Sequence, residues 1–211
     1  MLRFNKLNKA FGNKQVLQNV GCHFNRGIFA LQGPNGIGKT TLLSVLAGIV
    51  PADAGEIWIA GHSLHSAPLA AKSCLAYVPD ECPIYPFMTG RELLKFVARA
   101  KQCEVEQRVW ELVSDFGLCE HLNTPFGKMS LGTQKKTMLA AAQIGEPAVM
   151  LMDETSNALD HRTRHLLIEL IKAKSEHNVI LISTHDADFV NSVEATTITF
   201  DQLAERNKEI G

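Results

Sequence analysis

The chain has no stretch approaching the roughly 20 consecutive apolar residues that a membrane-spanning helix requires, although 45% of its 211 residues are hydrophobic. If it acts on a membrane, another chain does the spanning. Charge of one sign is also lacking: 21 basic and 22 acidic side chains leave a formal net charge of −1. That excludes a global pull toward nucleic acid or anionic lipid, so no nucleic-acid partner is expected. Paired cysteines are missing. Cys22, Cys74, Cys82, Cys103 and Cys119 are odd in number, scattered and without Cys-x-x-Cys spacing. Neither a disulfide framework nor a zinc ribbon follows from them, and idle thiols in a reducing compartment fit. The opening Met1-Leu-Arg-Phe-Asn-Lys6 holds no apolar run of signal-peptide length. Internal repeats and low-complexity tracts are absent. A chain of this length buries about 70% of its unfolded surface, which predicts a single domain over residues 1–211.

Short strands are predicted in the first third, at Leu2 to Leu7, Val16 to Phe24 and Ile28 to Leu31, separated by turn signals at Gly12-Asn13 and Asn25-Arg-Gly27. A helix pattern from Lys39 to Ala47 stops at Gly48, and strands are expected at Glu56 to Ala60 and Leu75 to Val78. The middle of the chain is helical. Thr89-Gly-Arg-Glu92 fits a capping box opening a helix to about Lys101, and a second helix pattern covers Val105 to Phe116. A helical subdomain is expected over about residues 83–145. The last third alternates: strands at Ala148 to Met152, Val179 to Ser183 and Thr196 to Phe200, with helices at Arg162 to Lys174 and Asp186 to Val193. Continuously apolar strands suit a parallel sheet covered on both faces. The expected class is α/β: a parallel-sheet core with an antiparallel β portion at the front and a helical insert.

Gly33-Pro-Asn-Gly-Ile-Gly38-Lys39-Thr40 matches G-x-x-x-x-G-K-[ST], the phosphate-binding loop. Its glycines let successive amides turn inward around phosphate oxygens, and the helix that follows adds its positive end. Lys39 is expected to reach the terminal phosphates and the Thr40 hydroxyl a Mg²⁺ ion. The expected nucleotide contacts are Gly33, Pro34, Asn35, Gly36, Ile37, Gly38, Lys39, Thr40 and Thr41. Further on, Ala148-Val-Met-Leu-Met-Asp153-Glu154 is an apolar run ending in two carboxylates. Such a strand emerges at the carboxyl edge of a sheet, where ligands of α/β proteins sit. Asp153 there would hold the metal, and Glu154 would orient and deprotonate an attacking water.

With these two motifs in place, Met129-Ser130-Leu131-Gly132-Thr133-Gln134 resembles the signature of the ABC ATPases, usually Leu-Ser-Gly-Gly-Gln. Glu154-Thr-Ser-Asn-Ala-Leu-Asp160 resembles their D-loop, and Ser183-Thr-His185-Asp186 their switch-histidine loop. The resemblance runs through essentially the whole chain, in the family's order. It implies an ATP-binding and ATP-hydrolysing subunit of an ABC transporter of exporter type, a P-loop NTPase sheet core, and ATP with Mg²⁺ as cofactors. It also implies that Ser130 and Gly132 serve ATP bound by a second protomer, in a head-to-tail homodimer or a pair with a paralogous cassette. His185 would be the switch histidine, with Glu154 and Lys39 as the other catalytic groups, and Asn157 and Asp160 would pass along the dimer seam. Phe11 taken alone reads as a core residue; in the family's pattern it is the ring that stacks on adenine.

The resemblance further implies a separate transmembrane permease subunit and a peripheral place on the cytoplasmic face of the inner membrane. The permease would dock beside the Asp80 loop, where Pro83-Ile-Tyr-Pro-Phe87 offers an apolar and aromatic patch. A soluble ABC ATPase acting on a cytosolic assembly, such as an iron–sulfur scaffold, and an ATP-gated clamp are the other readings. Departures from the family pattern are specific. Asp80 stands where glutamine is usual; it is still assigned to the nucleotide and metal site beside Thr40 and Asp153, but an ionised carboxylate donates no hydrogen bond. Leu131 replaces a glycine, Thr133 a glutamine, Thr155 a proline and Ala158 a glycine. His62 with His65, and His161 with His165, have no convincing third ligand, so surface histidines are expected there.

Overall fold

The computed structural model describes residues 1–204 and 209–210. In chain order the elements are β1 (Leu2–Phe11), β2 (Lys14–Phe24), β3 (Gly27–Gln32), α1 (Lys39–Leu46), β4 (Ala54–Ile59), β5 (His62–Ser63), α2 (Pro68–Ser73) and β6 (Leu75–Val78). Then follow α3 (Gly90–Ala100), α4 (Gln107–Asp115), α5 (Leu131–Ala141), β7 (Val149–Asp153), α6 (His161–Ser175), β8 (Val179–Ser183), α7 (Ala187–Ser192), β9 (Thr196–Thr199), α8 (Phe200–Ala204) and β10 (Glu209–Ile210). Two sheets result. One has the order β10-β2-β1-β4-β5 with β1 antiparallel to both β2 and β4; the other, β6-β7-β8-β3-β9, is parallel throughout.

The pleat of the parallel sheet explains how its unbroken apolar strands serve two cores at once. Every residue of β7 and β8 is buried, and successive side chains point to opposite faces. Val149, Leu151, Val179 and Leu181 join Leu42, Leu43 and Leu46 of α1 and the inner face of the antiparallel sheet. Met150, Met152, Ile180 and Ile182 meet instead Leu93 and Leu94 of α3, Val109 and Val113 of α4, Leu139 of α5 and Leu167 of α6. The helical middle of the chain is therefore held to the back of the same sheet whose front holds α1.

Several elements run differently from the sequence pattern, for local reasons. β1 continues past Leu7 to Phe11, because a bulge between Phe4 and Leu7, with Lys6 at φ 52, interrupts the alternation without ending the strand. Phe200 opens α8 rather than closing β9; the Thr199 amide donates to Gln202 Oε1 at 2.9 Å, in the manner of a helix start. α5 ends at Ala141, and the short α2, which has Pro68 in its first turn, carries too little periodicity to be read. The capping box at α3 is formed: the Glu92 amide donates to Thr89 Oγ1 at 3.3 Å, and the Thr89 amide to Glu92 Oε2 at 2.8 Å.

Candidate functional site

The carboxyl ends of β3, β7 and β8 open on one cleft of about 670 Å³. It is lined by Phe11, Lys14 and Val16 from the first hairpin, Asn35, Gly36, Gly38, Lys39, Thr40 and Thr41 from the loop and helix after β3, and Asp80, Asp153, Glu154, Asn157, Ser183 and His185. α1 begins with no side-chain cap behind Gly38, so its first amides remain available toward the cleft. Gly38 itself stands at φ 116, and a β-carbon there would come within 2.9 Å of Val16 Cγ1. Only glycine lets the loop make this turn against β2.

Lys39 is buried, and its ammonium is held over the loop: Nζ donates to the carbonyls of Gly33 at 2.7 Å and Pro34 at 3.2 Å, and lies 3.3 Å from His185 Nε2. Gly33 and Pro34 thus act through their carbonyls, while Ile37 turns into the first core. Asp153 ends β7 in register with Ser183 and has no solvent exposure. Both its oxygens are buried without a hydrogen-bond partner among the described residues. Burial pushes its pKa up, opposed in part by the Thr40 and Ser183 hydroxyls, which sit near it short of full hydrogen bonds. A bare buried carboxylate at the mouth of a phosphate-type loop, beside the Thr40 hydroxyl, is a fitting seat for a divalent cation.

Glu154 is the first residue past β7. Its amide donates to the Ser183 carbonyl at 2.8 Å, and its backbone is left-handed at φ 46. For a side-chain-bearing residue that conformation is strained, of the kind that collects at functional sites. Three groups converge on its carboxylate: the Asn157 amide at 3.4 Å, the His185 backbone amide at 3.4 Å and His185 Nε2 at 3.6 Å. The loop carrying His185 is pinned from behind, where Arg164 makes a two-pronged ion pair with Asp186 and lies over the Phe189 ring.

The remaining sequence candidates divide. Phe11 is 51% exposed at the tip of the hairpin, not in a core, and pairs across the turn with Lys14. Lys14 and Val16 also line the cleft, a role the sequence pattern did not assign them, although the Gly12-Asn13 turn that brings Lys14 opposite Phe11 was the signal for it. Ser130 and Gly132 do not line the cleft. Ser130 caps α5, accepting from the Thr133 amide at 3.2 Å, on the exposed surface. Asp160 caps α6 and pairs with Lys136 at 2.5 Å, which with the Thr163 amide holds its carboxyl well below the usual range. Ala158 sits at φ 63, a backbone position that favours glycine and so accounts for the residue usual there. Tyr85 and Phe87 stack with ring centroids 5.4 Å apart, exposed rather than packed in a core.

This combination of a phosphate-type loop, paired carboxylates at a strand end and a histidine-bearing loop is that of the ABC ATPases. The chain matches the ABC transporter family profile over residues 17–157. Among curated proteins, the linearmycin resistance ATP-binding protein LnrL of Bacillus subtilis is 30% identical over 87% of this chain and 60% of its own length. The SkfA peptide export ATP-binding protein SkfE of the same organism is 30% identical over 90% of this chain and 81% of its own length. A solved ATP-binding subunit of an ABC transporter superposes with a TM-score of 0.86 at 28% identity, covering 94% of this chain and 85% of that one. The chain belongs to the ABC transporter family and has the fold of its ATP-binding, ATP-hydrolysing cassettes. It spans about three fifths of the length of the first of these relatives.

Proposed function

We propose that this chain is the ATP-hydrolysing subunit of a transporter, one cassette domain over residues 1–211 with a helical subdomain at about 83–145, and that it powers export through a separate membrane chain. The observation that carries the hydrolytic reading is the carboxylate of Glu154, aimed into the cleft by a strained backbone and met by Asn157 and His185. ATP would lie with its phosphates over Gly36, Gly38 and Lys39 and its base against the exposed ring of Phe11. Lys39 would exchange its loop carbonyls for the terminal phosphates. Asp153, Thr40 and Asp80 would hold Mg²⁺, which supplies charge neutralisation for the phosphoryl group. Glu154 takes a proton from the attacking water, and His185 steadies the γ-phosphate against Lys39.

Ser130 and Gly132 do not line their own cleft, which supports their serving the nucleotide of a second copy in a head-to-tail pair, whether an identical chain or a paralogous cassette. The export direction is supported by the names of the two curated relatives, one for resistance and one for peptide export. No described helix is long and apolar enough to cross a membrane, and the exposed Tyr85–Phe87 patch suits a permease docking on the cytoplasmic face. The test is to tag a Glu154→Gln chain in its native cell, solubilise the membranes with ATP present and identify what co-purifies. A multi-spanning membrane protein in stoichiometric amount is expected. Recovery with soluble partners alone would replace the transporter by an ATPase acting on a cytosolic assembly.

A further inference from the structure

Lys135 is the most deeply buried cation among the described residues, 1% exposed within α5. Its Nζ donates to Asp80 Oδ1 at 2.9 Å and to the backbone carbonyl of Glu154 at 2.8 Å. Burying an ammonium is costly unless it is paired and hydrogen-bonded, so these two contacts fix where α5 sits. Both acceptors belong to the cleft: Asp80 lines it from the loop after β6, and Glu154 from the turn after β7. The next residue, Lys136, lies about 100° around the helix and pairs with Asp160 at 2.5 Å. Two consecutive lysines therefore grip the two ends of the segment 154–160. Asp80 is half-exposed: it is held by the Lys135 ammonium and also lines the cleft, where it would face the nucleotide's metal.

We propose that Lys135 is a positioning residue for hydrolysis: its single ammonium locks the Asp80 loop and the Glu154 turn to α5, and it competes with the nucleotide's divalent cation for the Asp80 carboxylate. The inference rests on the reading that Asp80 and Asp153 face that cation. It gives the acid at Asp80 a partner that a glutamine there would not need. It also ties the helix that presents Ser130 to the residue that activates water, within one chain and through one side chain. An effect that only supported the fold would lower the melting temperature and leave the metal dependence of nucleotide binding alone.

The test uses Lys135→Gln, Lys135→Met, Asp80→Asn and the Asp80→Asn/Lys135→Met double variant, each checked for folding by circular dichroism. Binding of a fluorescent ATP is titrated against Mg²⁺, and kcat and KM are measured alongside. Lys135→Met should lower the Mg²⁺ midpoint by about threefold or more, within the range of coupling between contacting residues, and lower kcat by about tenfold with little change in KM. Lys135→Gln keeps a donor for the Glu154 carbonyl, so it should shift the midpoint similarly while losing less of kcat; if Lys135→Met does not fold, this variant carries the test. In the Asp80→Asn background the midpoint shift should vanish, because no carboxylate remains to be released. A shift that persists in that background, or folded Lys135 variants with unchanged midpoint and kcat, would overturn the proposal. Binding and turnover in the parent chain that do not depend on a divalent cation would remove instead the metal reading beneath it.

Discussion

A β-carbon on Gly132 would stand 2.7 Å from the carbonyl oxygen of Ala158, closer than real contacts allow. The first turn of α5 is thus packed directly on the backbone of the segment that follows Glu154. Leu131, one residue earlier, is 53% exposed and meets no such limit. The retained glycine of the signature is a packing requirement inside one chain, whatever it does for a partner. Gly132→Ala would gain about 1 kcal/mol of helix propensity but drives α5 off its seat, which costs about 1–3 kcal/mol. We expect a lowered melting temperature and ATP turnover reduced about tenfold or more, whereas Leu131→Gly should stay within about threefold of the parent rate. Calorimetry and a phosphate-release assay on both variants make the comparison.

Mixing two dead variants tests the head-to-tail pair. Lys39→Ala would spoil the phosphate loop of its own chain, and Ser130→Arg, at an exposed position on the end of α5, would block only the helix end offered to the other. A heterodimer of the two keeps one intact composite site. An equimolar mixture of the two chains, each inactive alone, should recover about a quarter of the parent turnover, since half the pairs are mixed and each has one of two sites. A mixture as inactive as its components would mean that each chain carries its whole site.

The Arg164–Asp186 pair behind the switch loop predicts an acid dependence. The guanidinium of Arg164 holds the Asp186 carboxyl below its ordinary value, helped by the Phe189 amide. A depressed carboxylate pKa contributes stability that is present above the unfolded value and lost as pH falls through the folded one. Asp186→Asn should cost about 2 kcal/mol at neutral pH, or about 4–8 °C of melting temperature. The gap to the parent chain should hold from about pH 7 down to the ordinary carboxylate value of about 4 and close over the range below it. A gap constant over that range would show that the pair does not act through its charge.

Asp153 sets function against stability. Its oxygens are buried without a full hydrogen-bond partner, and the nearby Thr40 and Ser183 hydroxyls offset burial only in part, so Asp153→Asn removes a poorly satisfied buried charge. The nucleotide-free variant should melt about 2–4 °C higher, equivalent to about 1 kcal/mol for a domain of this size. The same variant should lose the Mg²⁺ dependence of ATP binding. Thermal melts with and without MgATP read both effects, and a variant less stable than the parent would contradict the reading of Asp153 as a bare site carboxylate.

Sequence pattern carried the parts of this site that act through short, periodic or glycine-dependent segments. The loop from Gly33 to Thr40 and the buried strand ending in Asp153-Glu154 announce themselves, because a nest of amides and a two-faced strand each demand a particular residue order. The capping box at Thr89 and Glu92 was legible for the same reason. Long-range pairings were not. In Gln134-Lys135-Lys136 a buried lysine reads like a solvated one; its burial depends on Asp80, some fifty residues earlier, reaching α5. Phe11 alone reads as core, because only the hairpin geometry shows that it projects past the sheet. β1 reads as short because successive register shifts, the first at Lys6, disguise its alternation.

If Glu154 takes the proton of the attacking water, steady-state phosphate release by Glu154→Gln will show it. The substitution keeps the shape of the side chain and an oxygen for the His185 amide but removes the base. With fluorescent-ATP binding intact, turnover should fall about a hundredfold or more, the usual contribution of a general base. A Glu154→Gln chain that binds ATP and releases phosphate at the parent rate would contradict the account and move the search for the base to another residue of the cleft.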